Sequence, residues 1–215
     1  MARWGVWSNT RHHAIRLATT ADTPDLAKML ARSFAQEEFS QWLMGRHVGQ
    51  DQRLERAFSM QLKHLALPHQ HVWCGKHHEA AALWSPPNVW RLGLQQQVQL
   101  LPDVIQLAGF RHLSRLWQLN RVAKIVQAAH PQTPHYYLQL LGVDPAQQGQ
   151  GWSQPLMNVV LEQADSNRLP CYLKTSTLPL VPLYRRFGFE VAHILDDLPY
   201  GAPTLWGMWR EPQVC

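Results

Sequence analysis

Apolar and polar residues alternate through Ala14-Ile15-Arg16-Leu17-Ala18-Thr19, so the first regular element predicted is a strand over residues 14–19. Asp22-Thr23-Pro24-Asp25 then offers a capping residue, a proline in the first turn and an acid three positions on, and LAKMLARSF continues at helical spacing. A second helical pattern runs from Gln50 to Ala66. HQHVWC and AAALWS, joined by the turn GKHHE, predict a hairpin closed off by Pro86-Pro87. From Leu92 to His130 the spacing is helical again, as two helices split near Pro102 or Gly109. HYYLQLLGV (135–143) is the strongest strand pattern in the chain. It is followed by a helix from about Gly151 to Asn167, a strand over 169–176 and a short helix over 181–187, then two strands over 189–195 and 204–210. There is no internal repeat and no low-complexity linker. One α+β domain with a central mixed sheet, its core over about 14–212 and a helical insertion over about 92–130, is the economical architecture.

Composition narrows the function classes. A chain of 215 residues with 46% apolar and 16% charged side chains can bury a core of its own. No apolar run approaches the roughly 18 residues of a membrane helix, and the start, MARWGVWSNTRHH, lacks the apolar segment of an export signal. A cytoplasmic protein without a membrane partner, monomeric or homodimeric, is expected. Cys74, Cys171 and Cys215 are far apart and form no C-x-x-C pair, which fits reduced thiols better than a zinc site. The net charge of +5 comes from dispersed Arg and Lys, so no nucleic-acid partner is expected, and the excess serves equally to attract a small phosphorylated ligand. His12-His13, His69 with His71, and His77-His78 have no carboxylate or thiolate partners at ligand spacing, so no metal is expected.

The chemistry concentrates at VDPAQQGQGWSQPLM (143–157), where a strand runs through a glycine-containing turn into a helix. Backbone N–H groups in such a turn converge on an anion, and the helix N-terminus adds a favourable dipole. The turn lacks the G-K-[S/T] of a P-loop and the third glycine of a dinucleotide fingerprint. Taken alone it is also compatible with a purely geometric turn.

LLGV, then Q-x-x-G-x-S, CYLKTS, VPLYRRFGFEV and a last strand ending in TLWGMW follow one another in an order that resembles the GNAT superfamily of N-acetyltransferases, and within it the puromycin N-acetyltransferase group. The match is dense from about Tyr136 to Pro212 and holds in outline from Ile15 to Pro87. It implies the GNAT (acyl-CoA N-acyltransferase) fold, a mostly antiparallel central sheet flanked by helices. It also implies acetyl-CoA as donor and an amine acceptor, here a primary amine on a small molecule. By the resemblance, Leu141, Gly142 and Val143 bind the pantetheine arm. Gln148, Gly149, Gln150, Gly151, Trp152, Ser153 and Gln154 wrap the CoA pyrophosphate, and Tyr184 lies close to the CoA sulfur.

Direct acetyl transfer needs a neutral amine, a stabilised carbonyl oxygen and a proton for the leaving thiolate. The backbone N–H of Val143 is the candidate for the second and the Tyr184 hydroxyl for the third. Glu37, near the end of the first helical stretch, and Tyr137, placed by strand alternation on one face with Gln139 and Leu141, are candidates for the acceptor site. So is Lys174, which stands where relatives carry an acid; Leu180 stands where they carry Asn, and Trp152-Ser153 departs from the usual small residues of the loop. Those departures motivate an alternative, a GNAT-fold module that holds CoA or a protein partner without turnover.

Overall fold

The computed structural model describes residues 13–44, 50–89 and 113–213. Seven strands form one sheet: β1 (Ile15–Leu17), β2 (Val72–Gly75), β3 (Ala80–Ser85), β4 (Tyr136–Val143), β5 (Cys171–Thr175), β6 (Glu190–Leu195) and β7 (Leu205–Arg210). Their spatial order is β1-β2-β3-β4-β5-β7-β6, and every neighbouring pair is antiparallel except β4 with β5. The helices are α1 (Thr23–Phe34), α2 (Glu38–Met44), α3 (Gln50–Gln61), α4 (Leu113–Ala128), α5 (Ser153–Ser166) and α6 (Val181–Arg185). The expected division near Pro102 or Gly109 lies outside the described residues.

Each face of the sheet has its own core. Ala80, Ala82 and Trp84 of β3, Leu138 of β4 and Leu173 of β5 pack under Leu156, Met157 and Val160 of α5 and Tyr184 of α6. The alternate β3 residues Ala81 and Leu83 meet Leu26, Met29 and Leu30 of α1 and Leu54 and Phe58 of α3. β3 is therefore buried along its whole length, as its unbroken apolar run requires. β6, at the sheet edge, alternates between exposed and half-buried residues. Gly142 is needed on the α1 side. A Cβ there would lie 2.7 Å from a Leu30 methyl carbon, so the missing side chain lets α1 seat directly on β4.

Two features differ from the sequence expectations. The helical pattern over 50–66 is one regular helix only to Gln61, and Leu62–Ala66 widens into a π-helical turn. Glu37 and Glu38 do not end the first helix; they start a separate one. The Glu37 carboxylate accepts from the N–H groups of Phe39 (3.1 Å) and Ser40 (2.6 Å), capping α2.

Two ion pairs fasten the elements, one around a buried arginine and one around a buried aspartate. Arg210 of β7, its side chain only 4% exposed, forms a bidentate pair with Asp165 of α5, both contacts at 2.7 Å, and also donates to the Phe187 carbonyl. Asp165→Ala leaves that guanidinium buried without its counter-charge, a loss of about 3–5 kcal/mol that urea titration measures. Asp22, ahead of α1, accepts from Arg16 (2.6 and 2.9 Å), from the Thr19 N–H and hydroxyl, and bonds His78 at 2.7 Å. The Arg16 hydrogen bonds hold its carboxyl far below the usual range. Its contribution is therefore complete above the ordinary Asp value near 3.9 and is lost as pH falls below it. Melting temperatures followed from pH 7 to pH 3 should fall less for Asp22→Asn, which starts lower, than for the unaltered protein.

Candidate active site

β4 and β5 run parallel only over Tyr136–Leu138 and Cys171–Leu173. Beyond that point β4 continues beside β3 to Val143, while β5 continues beside β7 through Lys174 and Thr175. The strands part into an opening that leaves one edge of β4, from Gln139 to Val143, without a strand partner. Backbone groups on such an edge are free to pair with an extended ligand.

A bulge sits at the same place. Leu83 pairs with Leu140 and Trp84 with Leu138, so Gln139 has no partner on β3. Its side chain bonds Gln61 (3.0 Å) and Ser85 (2.5 Å) on the α1–α3 side. The extra residue reverses the alternation: Leu141 and Val143 face the α5 side, whereas Tyr137 faces the other. The expectation that Tyr137 shares a face with Leu141 is corrected by this one residue; its partnership with Gln139 stands.

The Val143 N–H donates to the Ser33 hydroxyl of α1 at 3.1 Å. Ser33 was not singled out in the sequence, although it lies seven residues after Leu26 on the helix face that buries Leu26, Met29 and Leu30. A hydroxyl in an otherwise apolar stripe is the signal that marks it.

The loop after β4 is anchored at its start. Asp144 accepts from the Ala146 N–H and from Arg32 of α1 (2.5 and 3.1 Å). Gln148 is exposed and its amide reaches the Val143 carbonyl at 3.3 Å. Gly149 and Gly151 hold φ of 75° and 90°, a conformation natural to glycine, and the space where a Cβ would stand is empty at both. Gln150 is exposed and its carbonyl accepts from His13 Nε2 at 2.8 Å. Ser153 opens α5, and Gln154 is exposed on its first turn. The Gln154 N–H donates to the Gly151 carbonyl at 3.2 Å, while first-turn N–H groups in general lack intrahelical partners, and the dipole of α5 adds positive character there.

Trp152 is buried within the α5-side core and stacks on His13 with ring centroids 3.9 Å apart. This bulky residue thus packs into the core, while the two glycines that precede it stay open.

Tyr184, on α6, belongs to the same core and faces Phe189. Burial pushes its hydroxyl above the ordinary phenol range, so it keeps its proton at neutral pH. Among the described residues no hydrogen bond is made by that hydroxyl, nor is it one of the sealed, unsatisfied polar atoms. Cys74 and Cys171 are buried, and burial raises their thiols to about 11 and about 12, so neither is poised as a nucleophile.

The opposite face carries the other candidates. Lys174 lies over the rings of Tyr137 (5.3 Å) and Tyr172 (5.8 Å), and Glu37 accepts a hydrogen bond from the Ser176 hydroxyl. Leu141, Val143 and Tyr184 thus gather on the α5–α6 side, and Lys174, Tyr137 and Glu37 lie across the sheet from them. Among the described residues no group of three or more His, Cys, Asp or Glu is arranged to hold a metal.

This architecture has known counterparts. Residues 104–194 match the family model of the acetyltransferase (GNAT) domain. A structure described as histone acetyltransferase HPA2 and related acetyltransferase from Corynebacterium glutamicum superposes with a TM-score of 0.67 at 21% identity, covering 94% of this chain and 98% of that one. The fold is the GNAT fold. Polyamine N-acetyltransferase from Drosophila melanogaster (TM-score 0.59, 14% identity, 92% and 99% covered) shares it. So does arylalkylamine N-acetyltransferase 2 from Aedes aegypti (0.59, 11%, 94% and 100% covered). No helix among the described residues is long and apolar enough to cross a membrane.

Proposed function

We propose that the protein transfers an acetyl group from acetyl-CoA to a primary amine on a small molecule by direct attack. The observation that carries this reading is the coincidence of three features on one side of the parted strands: the unpartnered edge of β4, the open glycine loop before α5 and the unbonded Tyr184 hydroxyl.

The residues fit the donor. The Gln139–Val143 edge would hold the pantetheine arm by strand-like hydrogen bonds. Gly149, Gly151 and the first turn of α5 would hold the pyrophosphate, with Gln148, Gln150, Ser153 and Gln154 around it. The bound donor supplies an activated acetyl group. Tyr184 holds a proton at its hydroxyl for the departing thiolate. The Val143 N–H, expected to face the thioester oxygen, donates instead to the Ser33 hydroxyl, so the proton left for the carbonyl oxygen is that of Ser33. With both described cysteines held as thiols, no acyl-enzyme is invoked.

The likeness to the puromycin group rests on the VPLY and loop motifs; puromycin itself is not proposed as acceptor, because Lys174 replaces the acid beside which a cationic amine would settle. A second reading, a CoA-holding module without turnover, is favoured by one observation, the engagement of the Val143 N–H by Ser33. Incubation with acetyl-CoA and an amine panel separates the two. Free thiol and acetylated amine formed in equal amounts support the enzyme; CoA binding with no product from any amine supports the module.

A further inference from the structure

The face of the sheet opposite Leu141, Val143 and Tyr184 contains a cluster of basic and aromatic groups that includes no Asp or Glu among the described residues. His135 Nδ1 lies 2.6 Å from the Thr133 carbonyl, so that nitrogen carries the proton. His135 Nε2 is then an acceptor, and His130 Nε2, 3.0 Å away, must donate to it. His130 Nδ1 is left to accept from Lys174 Nζ at 3.4 Å. The chain of tautomers runs one way and ends on lysine as donor. Around it stand Tyr137, Tyr172, Trp209 and His193, whose Nε2 lies 3.2 Å from the Tyr172 hydroxyl.

Lys174 makes no ion pair among the described residues. Glu37 reaches this face at Ser176, just past the end of β5, and spends its oxygens on that hydroxyl and on the start of α2. His135 and His193 are held below the ordinary histidine range by burial first and by the Lys174 charge besides. Burial brings Lys174 itself down to about 8, so at neutral pH it is still mostly charged. The two rings and the histidine favour that charge but do not neutralise it. Lys174 stands at the first β5 position past the end of the pairing with β4, at the mouth of the opening, and retains part of its surface.

We infer that Lys174, set on Tyr137, Tyr172 and His130 at the point where β4 and β5 part, is the anchor for a carboxylate on the acceptor, so that the amine acetylated belongs to an amino-acid-like molecule and not to a polyamine. The inference rests on the acetyl-transfer reading above. A carboxylate completes the missing ion pair, and the ring faces take an apolar body beside it. A polycation would meet a lysine without an ion pair and, among the described residues here, no unengaged acid.

Two measurements test it, one of which needs no turnover. The first is calorimetric titration with 3-phenylpropionate, a carboxylate without an amine, in buffers of different ionisation heat. Binding should take up a proton near and above pH 8, and affinity should fall about tenfold between about pH 7 and pH 9 as Lys174 loses its charge. Lys174→Arg should bind with no such fall, and Lys174→Met should lose the affinity. The second is turnover of phenylalanine, phenylalaninamide and spermidine, with kcat/KM for the carboxylate at least about tenfold above the other two. Absence of 3-phenylpropionate binding overturns the inference. So does spermidine or the amide turned over as well as the acid, including a rate that merely rises with pH through 8, the mark of Lys174 acting as a base. Binding with the stated pH signature but no turnover of any amine leaves the carboxylate anchor standing and removes the acetyl-transfer reading instead.

Discussion

Tyr184→Phe is expected to lower kcat by about a hundredfold or more while leaving the Kd for CoA within about twofold. The ring is part of the core under α5, and the Phe variant preserves that packing, so stability should hardly change. Only the hydroxyl is lost, and no group among the described residues depends on it for a hydrogen bond. A hydroxyl that serves only as a proton source is felt only when the thiolate departs, so the loss should fall on kcat. The pH profile gives a second sign. With burial holding this hydroxyl above the ordinary phenol range, the unaltered enzyme should show no loss of its acid below about pH 9. Stopped assays with CoA titrations alongside measure both parameters, and an unchanged kcat in the Phe variant removes Tyr184 from the chemistry.

Gly149→Val and Gly151→Val should each abolish measurable CoA binding, weakening it by about a hundredfold or more. Two effects combine. A β-branched residue at φ of 75° or 90° is strained by about 1–3 kcal/mol, and it fills space that is open at both positions. Both glycines are exposed and touch neither core, so circular dichroism should stay near that of the unaltered protein and the urea midpoint should fall by no more than this strain. Unchanged CoA affinity in both variants would detach the loop from the donor site.

What was legible in the sequence followed local rules. β4, the hairpin of β2 and β3, α5 and α6 each announce themselves by alternation, helical spacing or a proline at the start, and the order of motifs pointed to the GNAT fold. What was not legible depended on single residues acting across the chain. Gln139 reads as an ordinary strand residue, yet as a bulge it turns Leu141 and Val143 to the opposite face from Tyr137. Glu37 looked like a free acid at a helix end and is bound to α2 and Ser176. Ser33 meets the Val143 N–H from 110 residues away. Lys174 could be seen to depart from its relatives, but its histidine and tyrosine neighbours come from β4, the segment before it and its own strand, and only folding assembles them. Trp152, the odd residue of the loop, is explained by His13, whose partner no local pattern could name.

The central claim is that the parted strands hold acetyl-CoA, and a crystal structure with CoA bound tests it most directly. The pantetheine arm should lie along Leu141–Val143, the pyrophosphate against Gly149, Gly151 and the start of α5, and the sulfur beside the Tyr184 hydroxyl. CoA bound elsewhere, with the β4 edge and the glycine loop untouched, would contradict the account.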